Sequence, residues 1–302
     1  MESAGRKVTT ADILARKQAR KPGAGDRGKK GRSVATPAGG KGNGNGDLAA
    51  GARRRIAAVT AYDYTFARLV DAAGVDVILV GDSLGMVMMG LPNTLGVTME
   101  AMLHHTRSVS RAEPRALLVA DMPFLSYHGN PDRALTNAGR LVQEAGAEAV
   151  KVEGGVDVAD TVRTLVRANI PVMGHVGLTP QAVHRFGGFK VQGRGRDAEL
   201  VLEDALAVAE AGAFSLVLEG IPAALGGKVT EAVHIPTIGI GAGPHCDGQI
   251  LVLQDLLGLY EDFTPKFAKV YAPLGRQVKE AVARYVEEVG AGEFPTEAHS
   301  YR

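Results

Sequence analysis

Eight short apolar segments, separated by stretches suited to helices, constrain the fold of this 302-residue chain more than any other feature. Continuous runs of Val, Ile, Leu and Ala are typical of parallel strands that are buried on both faces. Eight such strands with interleaved helices favour an α/β fold closed into a (β/α)8 TIM barrel over a doubly wound open sheet. The predicted strands are 55–60, 76–81, 115–120, 148–153, 170–175, 214–219, 235–240 and 250–254.

The stretches between these segments carry the apolar periodicity of helices that cover a barrel. A glycine-rich turn at 239–243 could instead suggest the phosphate-binding turn of the competing open sheet. Its G-x-G-x-G spacing does not fit that turn, so we interpret it as a strand end where backbone comes close to a ligand. The predicted helices are 64–73, 99–110, 131–145, 158–168, 198–211, 225–232 and, after the barrel, 274–289.

The first 52 residues differ in composition from the rest and are predicted to be an extension of the barrel domain at 53–302. Residues 8–21 can form a short amphipathic helix that opens with a threonine cap. Residues 22–52 are rich in Gly, Lys and Ala without periodicity, and we expect them to be disordered. A solvated linker is the favoured interpretation, and a basic contact with nucleic acid is the alternative.

Charge and cysteine usage narrow the class of protein. Residues 1–55 contain 14 Lys and Arg against 4 Asp and Glu, whereas the remaining residues contain 20 against 29. The acidic body argues against a nucleic-acid groove in the barrel. The single Cys246 excludes an intramolecular disulfide and fits a reducing, cytoplasmic location. Neither a membrane span nor the apolar core of a signal peptide is predicted, so no membrane partner is expected.

Three of the apolar segments end in an acidic residue, namely Asp82, Asp121 and Glu153. The carboxyl ends of barrel strands form the face that carries the active site in this fold. Three carboxylates there, without matching cations beside them, are typical of an oxygen-ligand site for a hard cation such as Mg²⁺. We expect Asp82 and Asp121 to be direct ligands and Glu153 to reach the ion through water.

Other strand-end residues indicate acid–base chemistry. A 2-oxo acid could chelate the metal, which would stabilise the enolate formed when the neighbouring carbon loses its proton. Glu219 is then the candidate base, while Lys151 and His175 could balance developing negative charge. A Schiff base on Lys151 is the alternative, and the nearby acids argue against it because they favour the ammonium.

Each of these residues also has a purely structural interpretation. Asp82 and Ser83 could cap the turn that follows them. Lys151 and Glu153 face the same way and could form an ordinary ion pair. His175 could be a satisfied core histidine. The functional interpretation rests on the whole set, because isolated strand caps would not all be ionisable.

Several short segments also occur in a specific order: TAYD at 60–63, VGDSLGM at 80–86, ADMPF at 120–124, KVEGG at 151–155, GHVGLTP at 174–180, GFKVQG at 188–193, LEGIP at 218–222 and IGIGAG at 238–243. In sequence and order they resemble the ketopantoate hydroxymethyltransferase (3-methyl-2-oxobutanoate hydroxymethyltransferase) family. The resemblance covers about residues 53–275 and the helix at 8–21. The family has only a few residues between that helix and the first strand, so 22–52 is expected to be a surface insertion.

The resemblance implies a barrel of the phosphoenolpyruvate/pyruvate superfamily, assembled as a decamer of two pentameric rings. It implies transfer of a hydroxymethyl unit from 5,10-methylenetetrahydrofolate to 2-oxoisovalerate (3-methyl-2-oxobutanoate), giving 2-dehydropantoate in the first committed step towards pantothenate and coenzyme A. A carbon–carbon lyase or phosphonomutase of the same superfamily, acting on another 2-oxo acid, is the alternative. A catalytically inactive scaffold of this fold is a second one, although none of the expected charged residues is missing.

Carried over by motif, the resemblance implies that Asp82 and Asp121 hold Mg²⁺ and that Glu153 completes the metal shell. Glu219 would be the catalytic acid/base. The residues that would bind the 2-oxo acid are Asp82, Ser83, Asp121, Lys151 and His175.

Overall fold

A computed structural model describes residues 6–18, 54–260 and 264–302 and has eight parallel strands in a closed barrel, in chain order. Because β8 pairs with β1, the sheet has no edge, so the TIM barrel is confirmed and the open-sheet alternative is wrong. The segment predicted to be disordered, 22–52, lies outside the described residues. The strands are β1 Ile56–Thr60, β2 Val77–Val80, β3 Leu117–Asp121, β4 Ala149–Glu153, β5 Val172–Gly177, β6 Ser215–Glu219, β7 Thr237–Ile240 and β8 Gly248–Leu251.

All eight predicted strands overlap an observed one, and the largest discrepancy is at β8. The prediction for that strand was 250–254, whereas the strand ends at Leu251. The reason is a tertiary contact, because the backbone N–H of Leu253 donates to Thr60 Oγ1 at 3.0 Å and a helical turn begins there.

The helices alternate with the strands and cover the barrel. The helix predicted at 99–110 has those bounds, since the Thr98 hydroxyl accepts from the backbone N–H of Ala101 and fixes its start. No described helix is long and apolar enough to cross a membrane. The helices are α1 Thr10–Gln18, α2 Tyr64–Ala72, α3 Leu84–Val87, α4 Met99–Ser110, α5 Pro131–Gln143, α6 Ala159–Arg167, α7 Val183–Phe186, α8 Asp197–Glu210, α9 Ala223–Ala232, α10 Leu253–Leu256 and α11 Leu274–Ala291.

Helix α1 packs against the apolar interior of the barrel, at the end where the strands begin. The predicted range was 8–21, but the helix begins only at Thr10 because Thr9 is its N-cap, and 19–21 lie outside the described residues. The Thr9 hydroxyl accepts from the Asp12 N–H at 3.3 Å, and the Thr9 N–H donates to Asp12 Oδ2 at 2.9 Å. Ile13 of this helix is fully buried in the apolar cluster inside the barrel.

Two apolar layers result from the alternation of side chains along each strand. In β3, Leu118 and Ala120 belong to the cluster that packs against the helices, whereas Leu117 and Val119 belong to the cluster inside the barrel. Asp121 continues the inner series and ends the strand. The same period places functional side chains inside the C-terminal mouth of the barrel.

Helix α11, predicted at 274–289, differs from the other helices because the residues that the structure describes do not cover its apolar face. Gly275 is the one buried residue in this helix, and Val278, Val282 and Tyr285 are 54–55% exposed. An isolated apolar face of this kind favours contact with another chain.

Candidate active site

Six ionisable residues from five consecutive strands meet at the C-terminal mouth of the barrel. Asp82 follows β2 directly, Asp121 ends β3 and Glu219 ends β6. Strand register brings the others together, since Asp121 is opposite Lys151 in β4, and Glu153 in β4 is opposite His175 in β5. All except Glu219 are at most 4% exposed.

Five of these side chains form one continuous line of alternating charge. Lys151 Nζ lies 2.7 Å from Asp121 Oδ1 and 3.5 Å from Glu153 Oε1. His175 Nδ1 lies 3.2 Å from Glu153 Oε1, and His175 Nε2 lies 3.2 Å from Glu219 Oε2. The ring nitrogens of His175 lack hydrogen-bond geometry, so these contacts are ion pairs. Glu219, at 16% side-chain exposure, is the end of the line that solvent reaches.

Burial disfavours the charged form of two of the acids. Burial raises the pKa of Asp82 well above its ordinary value, and the neighbouring carboxylates of Glu153 and Asp121 add to the effect. Burial also raises the pKa of Asp121, and the opposing charge of Lys151 does not cancel this shift. The mouth therefore holds more negative charge than its own cations neutralise.

The remaining charged groups stabilise one another. Burial alone would lower the pKa of Lys151, but the surrounding carboxylates of Asp121, Glu153 and Asp82 outweigh it and raise the pKa, so the amine is an ammonium. Burial would raise the pKa of Glu153, but Lys151 and His175 lower it to about 2. Burial and Lys151 would lower the pKa of His175, yet Glu153 and Glu219 raise it to about 9.

The donor set at the mouth fits a hard divalent cation. Asp121 Oδ1 is buried and has no hydrogen bond of acceptable geometry, although Lys151 Nζ is near it. Asp82 is a second buried carboxylate beside it, because the Asp82 N–H donates to Asp121 Oδ2 at 2.9 Å. Within residues 6–18, 54–260 and 264–302, no three His, Cys, Asp or Glu side chains are grouped as a metal site. The two buried carboxylates nevertheless fit an ion such as Mg²⁺, because that ion takes one or two carboxylates and fills its other positions with water or substrate.

Two further predictions about strand ends concern Ser83 and the glycine-rich turn at 239–243. Ser83 lies at the mouth, where its hydroxyl is 2.9 Å from the hydroxyl of buried Tyr62. The glycine-rich turn does bring backbone close to other atoms, but these belong to the protein. A Cβ on Gly241 would lie 2.9 Å from Phe267, and one on Gly243 would lie 2.4 Å from Ala223.

The family model of ketopantoate hydroxymethyltransferase matches residues 47–297 of the chain. The chain belongs to this family. A ketopantoate hydroxymethyltransferase family member from Pelobacter propionicus, named 3-methyl-2-oxobutanoate hydroxymethyltransferase, is 60% identical over 249 residues, which is 82% of this chain and 93% of the relative. A relative of the same name from Geobacter sulfurreducens is 59% identical over 248 residues, 82% of this chain and 93% of its own.

Solved structures with the same fold are far more distant in sequence than these family members. A phosphonopyruvate hydrolase in complex with oxalate and Mg²⁺ has a TM-score of 0.53 at 14% identity, covering 82% of this chain and 88% of its own. A 2,3-dimethylmalate lyase of the phosphoenolpyruvate mutase/isocitrate lyase superfamily has a TM-score of 0.53 at 16% identity, covering 82% and 87%. These likenesses show that the barrel fold is shared.

Two polar residues at the mouth of this ketopantoate hydroxymethyltransferase family member, Gln181 and Tyr127, were not predicted from the sequence. Both are buried and uncharged, and Tyr127 lies in a loop while Gln181 lies in the 3₁₀ turn Pro180–Ala182. Gln181 Nε2 donates to Asp82 Oδ2 at 2.8 Å, and the Tyr127 hydroxyl donates to Gln181 Oε1 at 2.8 Å. The available signal was the GHVGLTP segment, since Gln181 is the residue that follows it.

Proposed function

We propose that this protein transfers a hydroxymethyl unit from 5,10-methylenetetrahydrofolate to 3-methyl-2-oxobutanoate, with consumption of one water, to give 2-dehydropantoate and tetrahydrofolate. This is the entry to pantothenate and coenzyme A synthesis. The observation that carries the proposal is the buried line of alternating charge that ends at the accessible carboxylate of Glu219. Family membership and the names of the relatives support this transferase rather than the lyase alternative.

Glu219 is the proposed base that takes the proton from C3 of the 2-oxo acid. It is the one member of the line with solvent access, and a group that exchanges protons with a substrate must reach it. His175 is protonated at neutral pH because its pKa is about 9, and it lies against the far side of the Glu219 carboxylate. The imidazolium keeps that carboxylate in place while C3 forms its new bond to the one-carbon unit.

Asp82 and Asp121 are the proposed magnesium ligands, and Glu153 would complete the metal shell. Bound Mg²⁺ would act as a Lewis acid on the keto oxygen of the substrate. The raised pKa values of both aspartates support these roles. A divalent cation would offset the cost of burying the two charges and the repulsion from neighbouring carboxylates.

Lys151 and Ser83 are the proposed contacts of the substrate carboxylate, with His175 beside the keto acid. The raised pKa of Lys151 supports an electrostatic role, because an ammonium cannot form a Schiff base. Its buried ammonium at the mouth is a suitable partner for an anionic substrate.

The assembly and location of the protein are also part of the proposal. We propose a homo-oligomer, a decamer by resemblance to the family, and the apolar face of α11, which no described residue covers, supports contact between copies. The cytoplasmic location inferred from the single Cys246 stays a prediction.

Proton NMR of 3-methyl-2-oxobutanoate in D₂O tests the proposal. With Mg²⁺ and protein, the C3 proton signal should disappear by exchange, and addition of 5,10-methylenetetrahydrofolate should produce 2-dehydropantoate. EDTA and the Asp121→Ala variant are the controls, and both should stop the exchange. Exchange that survives both would remove Asp121 and the metal from the proposal. No exchange and no product in the wild-type protein would refute the transferase activity.

A further inference from the structure

Gln181 is an uncharged residue that donates hydrogen bonds to two of the carboxylates at the mouth. It lies in the 3₁₀ turn Pro180–Ala182 that follows β5, and it is 6% exposed. Its side-chain amide reaches across the mouth to the residue after β2, and its backbone N–H donates to Glu153 Oε2 in β4 at 3.0 Å. One residue thus joins carboxylates from two different strands.

The hydrogen bonds of the Gln181 amide fix its orientation. Nε2 has two hydrogens, and they are used by Asp82 Oδ2 at 2.8 Å and by the Met122 carbonyl at 3.0 Å. Oε1 lies 2.8 Å from the hydroxyl oxygen of Tyr127, and the single hydrogen of that hydroxyl has the Glu153 carbonyl, at 3.0 Å, as its other acceptor. Tyr127 is itself fixed, because its oxygen also accepts from the Glu153 N–H at 3.0 Å. A flipped amide would bring its oxygen against the Asp82 carboxylate and lose both donors.

This arrangement determines which oxygen of Asp82 remains for a ligand. Oδ2 is occupied by the amide of Gln181, so Oδ1 is the atom left for coordination. The neutral amide of Gln181 donates to Asp82 without adding a positive charge that would repel a cation. Hydrogen bonds that orient ligand carboxylates change metal affinity about 10- to 100-fold when they are removed.

We propose that Gln181, oriented by Tyr127, is a positioning residue that holds Asp82 for binding of the divalent cation. The inference rests on the proposed metal site at the mouth. Gln181 touches neither the base nor its partner, so it acts on cation binding and leaves proton transfer at Glu219 unchanged.

The experiment measures Mn²⁺ binding to the full chain without substrate, by the EPR signal of the free ion. Mn²⁺ is a suitable probe because carboxylate and water ligands suit both ions. The Gln181→Met variant keeps side-chain length and the backbone N–H, and its dissociation constant for Mn²⁺ should rise about 10- to 100-fold. Gln254→Met is the matched control, because Gln254 is a buried glutamine, 7% exposed, whose amide donates to Met88 Sδ instead. The control should bind Mn²⁺ as the wild type does.

A second readout separates positioning from a general loss of structure. In Gln181→Met, the Mg²⁺ concentration needed for half-maximal C3 exchange should rise, while the rate at saturating Mg²⁺ stays within about threefold of wild type, since the base is intact. Tyr127→Phe removes only the hydroxyl that orients the amide, and it should weaken Mn²⁺ binding in the same direction by a smaller factor.

The outcomes distinguish failure of the proposed metal site from failure of the proposed role of Gln181. If the wild type binds Mn²⁺ and Asp121→Ala does not, the metal site stands. Equal Mn²⁺ affinity of wild type and Gln181→Met would then overturn the role of Gln181 alone. If Gln181→Met does not fold, unchanged affinity in Tyr127→Phe has the same meaning. A wild-type protein that binds no Mn²⁺ overturns the metal site and this inference together.

Discussion

The two ends of the barrel both contain buried ion pairs, and they differ in charge balance. At the N-terminal end, Lys17 of α1 lies 3.0 Å from Asp247, and both are at most 5% exposed. Asp247 Oδ2 also accepts from the backbone N–H of Thr237 at 2.9 Å, and Lys17 also donates to the Thr230 carbonyl. Among the residues that the structure describes, the ammonium of Lys17 faces the carboxylate of Asp247, with additional hydrogen bonds around them.

The C-terminal mouth has the same kinds of group in a different proportion. Four carboxylates, Asp82, Asp121, Glu153 and Glu219, share two cations, and Asp121 Oδ1 has no hydrogen bond. A buried charge without a matching partner is costly, and such a cost persists at sites where a ligand supplies the missing charge. Charge balance, rather than burial, therefore distinguishes the N-terminal ion pair from the proposed binding site at the mouth.

Replacement of the proposed base should have the largest effect. Glu219→Gln keeps the shape of the side chain and removes its ability to take a proton, so C3 exchange should fall about 10²- to 10⁴-fold. The barrel should stay folded, as judged by circular dichroism. Glu210→Gln, on the exposed end of α8, is the matched control and should exchange at the wild-type rate. Near-normal exchange in Glu219→Gln would mean that another group is the base.

The N-terminal ion pair should matter for stability and not for catalysis. Lys17→Met would remove the buried ammonium that lies 3.0 Å from Asp247, so the free energy of unfolding should fall by about 3–5 kcal/mol. Activity per folded molecule should be unchanged, because the pair lies at the opposite end of the barrel. Arg6→Ala is the control, since its ion pair with Asp12 is at the surface, with Arg6 81% exposed, and should change stability far less. Urea denaturation measures both, and equal effects would contradict the distinction between buried and exposed pairs.

The pH dependence of stability should reveal the imidazolium of His175. Its pKa is about 9 in the folded protein, above the ordinary value of 6.5. The stabilisation is therefore complete below pH 6.5 and is lost as the pH rises through 9, by up to about 3 kcal/mol. Denaturation of wild type and His175→Gln in EDTA between pH 6 and 10 tests this, and parallel curves would mean that His175 is neutral in the folded state.

The same substitution at the two ends should have effects of opposite sign. In EDTA, Asp82→Asn should leave the free energy of unfolding unchanged or raise it by about 1 kcal/mol, because it removes a carboxylate whose charge burial disfavours. Asp247→Asn, at the same 3% exposure, should lower it, because Lys17 then loses its anion. Thermal unfolding of both variants is the measurement. A loss of stability in both would mean that the mouth is balanced without a ligand.

Local sequence was sufficient to predict the barrel and the positions of the charged residues. A continuous apolar run predicts a buried strand wherever it occurs, and Asp82, Asp121 and Glu219 were recognised because each follows or ends such a run. Lys151 and Glu153 were expected on the same face from their period-2 spacing, and both do face the mouth. The roles of these residues in binding and catalysis stay predictions.

The sequence by itself determined the eight strands and the carboxylates at their ends, because both depend on patterns within a few residues. Tertiary structure alone decided the pairing. Lys151 lies nearer to Asp121 than to Glu153 because the register of β3 and β4 puts Asp121 opposite it. Gln181 reaches Asp82 across 99 residues of chain, and no periodic pattern marks an uncharged side chain in a single 3₁₀ turn. Closure of the barrel brings such distant residues together, and it thereby determines how the charges at each end are paired.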